Sequence, residues 1–161
     1  RLGIESIRPL SGRTEIIRGE YTIVNDCYNA NLESSMAALS FCDELSVKGR
    51  KIYVFGSMKE LGDETIKAHE RLGRAVARSS ATLVYFYGQE TRHAFDSAMK
   101  AGANAAMFHF DDFDPLSVAV VAAVRPGDLI LLKASHSMAL ERLAERLSTS
   151  LPESTGGQHV S

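Results

Sequence analysis

Lys133 directly follows Leu129-Ile130-Leu131-Leu132. A lysine at the end of so apolar a run is rarely placed there without a partner. Held in such a position, an ammonium can stabilise a carboxylate or a developing phosphate charge. Ser135, His136 and Ser137 follow it and extend a polar cluster suited to an anion. A second cluster, Asp26-Cys27-Tyr28-Asn29-Ala30-Asn31, offers a carboxylate, an aromatic ring and two side-chain amides. A third is Lys59-Glu60, after Gly56-Ser57-Met58. Simpler readings stand beside these. Asp26, Asn29 or Ser34 can cap a following helix, because their side chains accept from orphan amides. Lys59 and Glu60 can be a solvated loop pair. His69, His93, His109 and His159 are scattered and match no ligand spacing with Cys or a carboxylate, so no metal site is expected.

What positions these clusters is a regular alternation. Five short apolar runs occupy residues 21–25, 51–55, 81–87, 105–110 and 128–132. Their nearly continuous apolar character suits strands buried on both faces. After each comes a stretch with helical spacing, over residues 33–47, 65–79, 90–101, 115–124 and 137–147. In the first, Ala38, Leu39, Cys42 and Leu45 share one face. Alternation of this kind predicts an α/β fold, Rossmann-like, with a mostly parallel sheet, helices on both faces and a single domain. Ligands of such sheets bind at the carboxyl ends of the strands, and every cluster above falls there.

Residues 20–150 are expected to form that domain. Residues 1–19 read as an extended interdomain lead-in with room for one extra strand, and residues 151–161 as a polar, disordered tail. The first residue is Arg1 rather than Met, so a piece of a longer protein is expected.

Composition excludes some classes. Hydrophobic residues at 45% and charged residues at 24% are those of an ordinary globular domain. A net charge of -2 lacks the basic surplus of a nucleic-acid binder. No apolar run approaches the roughly 18 residues of a membrane span. Two cysteines outside any metal spacing fit a reduced, cytoplasmic protein. The chain also has no Gly-x-x-x-x-Gly-Lys-Ser/Thr loop, no Gly-x-Gly-x-x-Gly fingerprint and no Gly-x-Ser-x-Gly elbow. If it acts on ATP, another domain must hold most of the phosphates.

The clusters resemble motifs of the Mur ligases, most closely the branch that adds D-alanyl-D-alanine. Asp26-Cys27-Tyr28-Asn29-Ala30-Asn31, with Ser34-Ser35-Met36, is similar to that branch's Asp-x-Tyr-Asn-Ala-Asn-Pro-x-Ser. Gly56-Ser57-Met58-Lys59-Glu60-Leu61-Gly62 with His69 is similar to its Gly-Asp-Met-x-Glu-Leu-Gly…His. Pro126-Gly127-Asp128, then Lys133-Ala134-Ser135-His136-Ser137-Met138 and Glu141, resembles its Pro-Gly-Asp…Lys-Gly-Ser-Arg-x-Met-x-x-Glu. Gly12-Arg13 resembles the Gly-Arg at the junction with the central domain. The resemblance covers about residues 10 to 147 in the family's order and spacing. Four positions depart from the family pattern: Leu32 replaces Pro, Ser57 Asp, Ala134 Gly and His136 Arg.

The resemblance implies a three-domain, ATP-dependent ligase in peptidoglycan synthesis. Its acceptor is UDP-N-acetylmuramoyl-tripeptide, its incoming amine is D-alanyl-D-alanine, and its reaction runs through an acyl phosphate. ATP and Mg2+ belong to the full-length enzyme, whose central domain carries the phosphate loop and metal ligands. This chain would be the C-terminal domain that closes over them beside its N-terminal and central partners, and alone it would be inactive. By the same resemblance Arg13, Asp26, Tyr28, Asn29 and Asn31 face the nucleotide. Lys59, Glu60, Lys133, Ser135, His136 and Ser137 face the substrate, with Lys133 the candidate catalytic group. Two other readings remain open: another Mur or folylpolyglutamate-type ligase, and a non-catalytic α/β binding module.

Overall fold

A computed structural model describes residue 3 and residues 14–150. Arg13, most of the lead-in and the tail after residue 150 lie outside the described residues. The chain folds into one six-stranded sheet flanked by helices. The strands are β1 (Glu15–Ile17), β2 (Thr22–Asp26), β3 (Lys51–Gly56), β4 (Leu83–Tyr87), β5 (Ala106–Phe110) and β6 (Leu129–Lys133). The helices are α1 (Leu32–Glu44), α2 (Thr65–Ala77), α3 (Arg92–Lys100), α4 (Phe113–Ala123) and α5 (Glu141–Ser150). The sheet order is β1-β2-β6-β3-β4-β5. All pairings are parallel except β1 with β2, so the extra strand of the lead-in is an antiparallel edge.

The last strand inserts in the middle. β6 lies between β2 and β3, and β3 and β6 are buried along their whole length. This is why Leu129-Ile130-Leu131-Leu132 can be aliphatic on both faces: Leu129 and Leu131 enter one core, Ile130 and Leu132 the other. Buried residues of α1, α2 and α3 join the first core, and those of α4 and α5 the second. β5 departs from the two-faced burial its sequence predicts. It is the edge strand beside β4, and Ala106 and Phe108 are exposed there. A run of apolar residues shows a strand but not its place in the order.

Helix boundaries differ where backbone geometry intervenes. The helix expected over residues 137–147 starts later, at Glu141. A 3-10 turn at His136–Met138 precedes it, and Ala139 takes a left-handed conformation at φ 51°. No Gly or Pro marks that break in the sequence. α1 ends earlier than its pattern, because Leu45 turns into extended backbone (φ -75°, ψ 144°) while remaining buried.

At the amino end of the sheet, Asp128 ties the connections together. Its carboxylate accepts from the Arg50 backbone N–H at 2.8 Å, the Arg50 guanidinium at 2.8 Å and the Arg125 N–H at 2.9 Å. Pro126-Gly127-Asp128, part of the family resemblance, is therefore a structural lock far from the carboxyl edge. Among the described residues no helix is long and apolar enough to cross a membrane.

Candidate functional site

The order of the strands parts the loops at the carboxyl ends of β2, β6 and β3. The chain leaves β2 and β3 for helices on one face, while it leaves β6 for α5 on the other. Loops that part to opposite faces leave room between adjacent strand ends, which is where open α/β sheets bind ligands. Three loops meet there: residues 27–31, 57–61 and 134–140.

Asp26 and Lys133 are register partners on β2 and β6. Strand alternation points both side chains to the α1 face, with Val24 and Leu131. Lys133 Nζ lies 3.1 Å from Asp26 Oδ2 and donates to the Asn29 carbonyl at 2.6 Å. The other carboxylate oxygen, Asp26 Oδ1, accepts from Thr14 Oγ1 at 3.3 Å. Lys133 is 2% exposed and Asp26 7%. A buried ammonium needs a counter-charge and oriented acceptors, and this one has both.

Ser135 knits the three loops. Its hydroxyl accepts from the Lys59 N–H at 2.8 Å and donates to the Ala30 carbonyl at 3.4 Å. Its own N–H donates to the Ser57 carbonyl at 3.3 Å. Ser57 is fully buried and its N–H donates to the Tyr87 carbonyl at 2.9 Å. Met58 N–H donates to His69 Nε2 at 3.1 Å, while His69 Nδ1 meets the Thr65 carbonyl at 2.7 Å. Because Nε2 accepts, the proton sits on Nδ1 and the ring is neutral. Burial lowers its pKa and keeps it so.

The other candidates fall at the rim. Tyr28 is 50% exposed, with its ring centroid 5.8 Å from that of His136. Asn29, His136 and Ser137 are exposed. Asn31 caps α1: its side chain accepts from the Ser34 N–H at 2.8 Å, and the Ser34 hydroxyl accepts from the Asn31 N–H at 3.1 Å. The cap of α1 is thus Asn31 with Ser34 rather than Asp26 or Asn29. Lys59 pairs with Glu90 at 2.9 Å and not with Glu60, correcting the loop-pair reading. Burial acts to raise the Glu90 pKa, but the Lys59 hydrogen bond and others outweigh it and hold the carboxyl below its usual value. Glu60 is exposed and left-handed, at φ 63°.

Sequence reasoning missed Thr14 and Glu90 as partners, because nothing local marks a residue whose role depends on another strand. It took His69 as part of a motif and as one of four scattered histidines, and not as the partner of Met58. Two of the departures find a structural context. Leu32 opens α1 and packs against the core. A Cβ on Gly56 would lie 2.5 Å from the Ala134 Cβ, so the methyl at position 134 is accommodated by the glycine across from it. Cys27 and Cys42 are free and buried, and burial pushes both thiols up. Among the described residues no three His, Cys, Asp or Glu side chains come together as a metal ligand set. The described residues therefore offer Mg2+ no cage.

The arrangement has clear relatives. A UDP-N-acetylmuramoyl-tripeptide–D-alanyl-D-alanine ligase of Treponema pallidum is 37% identical over 141 residues, covering 88% of this chain and 30% of its own length. The ligase of the same name from Bacillus subtilis is 31% identical over 147 residues, covering 90% of this chain and 32% of its own. The crystal structure of a MurF ligase from Thermotoga maritima in complex with ADP superposes with a TM-score of 0.71 at 26% identity, covering 89% of this chain and 32% of that one. The chain spans about a third of the length of the curated relatives it matches. The family described as Mur ligase, glutamate ligase domain, matches residues 12–136, well over half of the chain, and takes in the 27–31 and 57–61 loops and the start of the 134–140 loop. The chain belongs to the Mur ligase family, within its glutamate ligase domain.

Proposed function

We propose that this chain is the C-terminal domain of an ATP-dependent ligase joining D-alanyl-D-alanine to UDP-N-acetylmuramoyl-tripeptide in peptidoglycan synthesis. The observation that supports this reading best is the junction of two distant motifs. The 26–31 segment and residues 133–136 both lie within the family match, and they are bonded to each other through Lys133, Asn29, Ser135 and Ala30. Relatives bearing this activity in their names align across both.

In this reading the full-length protein is cytoplasmic and works with ATP and Mg2+. The N-terminal and central domains of the same protein are its partners, and the phosphate loop and metal ligands lie there. ATP supplies the phosphoryl group that activates the acceptor carboxylate. This chain contributes binding and orientation. Asp26 retains lone pairs beyond those used by Thr14 and Lys133, since an ionised carboxylate offers about four acceptor sites, and accepts from ribose hydroxyls. The exposed Tyr28 ring and the Asn29 side chain pack against the nucleotide, and Asn31 holds their loop to α1. Arg13 reaches the phosphates on closure, with a planar fork suited to them. Lys59, Glu60, Lys133, Ser135, His136 and Ser137 frame the incoming amino component. Lys133 acts from its buried position by holding the Asn29 carbonyl and fixing the Asp26 carboxylate.

The test is the full-length enzyme with Asp26→Asn, which keeps the side chain's shape but leaves the Lys133 ammonium without its counter-charge, so melting temperature is measured on the same preparation. A ribose contact binds ground state and transition state alike, so its weakening raises the KM for ATP with little change in kcat. A collapsed kcat with an unchanged KM for ATP would rule out the ribose assignment. Failure of the wild-type enzyme to ligate D-alanyl-D-alanine would rule out the substrate.

A further inference from the structure

The Ser57–Leu61 turn is held from several directions, and two helices reach it: α2 through His69, and α1 through the Ser35 hydroxyl, which meets the Met58 sulfur at 3.6 Å. Ser57 N–H bonds Tyr87, Lys59 N–H bonds Ser135, and Met58 N–H bonds His69 on α2. His69 is fully buried, and Thr65 fixes its ring from the other side. The turn so held contains Glu60 in a left-handed conformation, φ 63°, followed by Gly62 at φ 56°. A non-glycine residue keeps such a conformation only where its surroundings over-determine it. The anchors on either side of Glu60 do this: His69 and Ser135 before it, and the Glu64 N–H to Leu61 carbonyl bond of 3.0 Å after it.

We infer that His69 is a positioning residue for the incoming amino component. It acts through the Met58 N–H on the Lys59 N–H, which holds the Ser135 hydroxyl that in turn holds the Ala30 carbonyl. One neutral imidazole on α2 thereby sets the placement of the loop after β3 against the loop after β6. Its contribution depends on Nε2 being an acceptor. No apolar residue replaces it, because the buried Met58 N–H then lacks a partner. The inference rests on the proposed ligase reading for the identity of the amino component. It does not rest on that reading for the anchoring of the turn.

The two ring nitrogens can be imitated separately. In His69→Gln the side-chain oxygen reaches the place of Nε2 and keeps the bond to Met58. In His69→Asn the shorter amide reaches toward the Thr65 carbonyl and leaves Met58 N–H alone. Both variants are made in the full-length enzyme, with melting temperature checked on the same preparations. Hydrogen exchange of the peptide spanning residues 57–61 is followed by mass spectrometry, and KM is measured separately for D-alanyl-D-alanine and ATP. His69→Asn should speed exchange in that peptide about tenfold and raise the KM for the dipeptide by about the same factor, the equivalent of losing one buried hydrogen bond. The KM for ATP should stay within about twofold, since the 26–31 loop keeps ties of its own in the Lys133 bond to the Asn29 carbonyl and the Asn31–Ser34 cap, and the other nucleotide contacts lie on other domains. His69→Gln should restore both exchange and dipeptide KM. Unchanged exchange in His69→Asn overturns the anchoring. Faster exchange with an unchanged dipeptide KM, or a His69→Gln enzyme as impaired as His69→Asn, overturns the positioning role. Faster exchange in His69→Asn together with a wild-type enzyme that does not use D-alanyl-D-alanine overturns the substrate reading alone.

Discussion

Asp26 and Lys133 sit directly opposite each other on adjacent parallel strands, and their charges meet 3.1 Å apart with almost no exposure to solvent. Neither can be removed alone without leaving the other charged group buried. Lys133→Met should therefore destabilise the fold by about 3 kcal/mol, the range for breaking a buried pair. Adding Asp26→Asn should recover part of that loss, because the orphaned carboxylate is gone. Denaturant unfolding of both variants and the double mutant gives the coupling. Additive losses would show that the pair is not a unit. A fully stable Lys133→Met with lowered kcat/KM would make Lys133 a purely functional group.

At the other end of the sheet, Asp128 should matter for stability and not for substrate. Burial by itself acts to raise its pKa, but the Arg50 side chain and the Arg50 and Arg125 N–H groups outweigh it and hold the carboxyl below its ordinary value of 3.8. With the folded pKa depressed, the unfolded chain binds the extra proton. The contribution is complete above about pH 4 and is lost as pH falls through the lowered folded value. Asp128→Asn should cost about 2–4 kcal/mol at neutral pH and flatten the acid limb of the stability curve. Both KM values should be unchanged in the full-length enzyme.

His69 gives a dependence in a different window. Its pKa is lowered from 6.5 mainly by burial; the Thr65 carbonyl and Glu90 pull it up, while His93 and Lys59 push it further down. Below pH 6.5 the unfolded chain takes up a proton that the fold resists. Stability should fall as pH drops from about 6.5 toward the folded value and level off beneath it. In His69→Gln this component of the curve should vanish. A stability curve that keeps its slope between pH 6.5 and 5 in that variant would assign the slope to another group.

Gly56 and Ala134 are a size-matched pair. A Cβ at position 56 would meet the Ala134 Cβ at 2.5 Å, closer than two carbons can pack. Gly56→Ala should cost about 1–3 kcal/mol by overpacking, and Ala134→Gly in the same chain should return most of it. Thermal melts of the two single variants and the double variant decide this. A double variant no better than Gly56→Ala would place the strain elsewhere on β3.

Much of this protein is determined locally. The alternation of apolar runs and helical spacing is set by side-chain periodicity, so the α/β class and the strand cores at residues 51–55 and 128–132 are legible along the chain. The polar residues after each strand mark the carboxyl edge for the same reason, and their types place the chain in its family. What only the tertiary structure decides is adjacency. Nothing near Lys133 in sequence says that β6 inserts between β2 and β3, yet that insertion brings Asp26 and Asn29 to its ammonium. The place of β5 at the edge, the choice of Glu90 over Glu60 for Lys59, and the bond from His69 to Met58 are likewise products of strand order and loop return. Periodicity reports which face of an element is apolar. It carries no information on which element that face will meet, because that is decided by burial summed over the whole sheet.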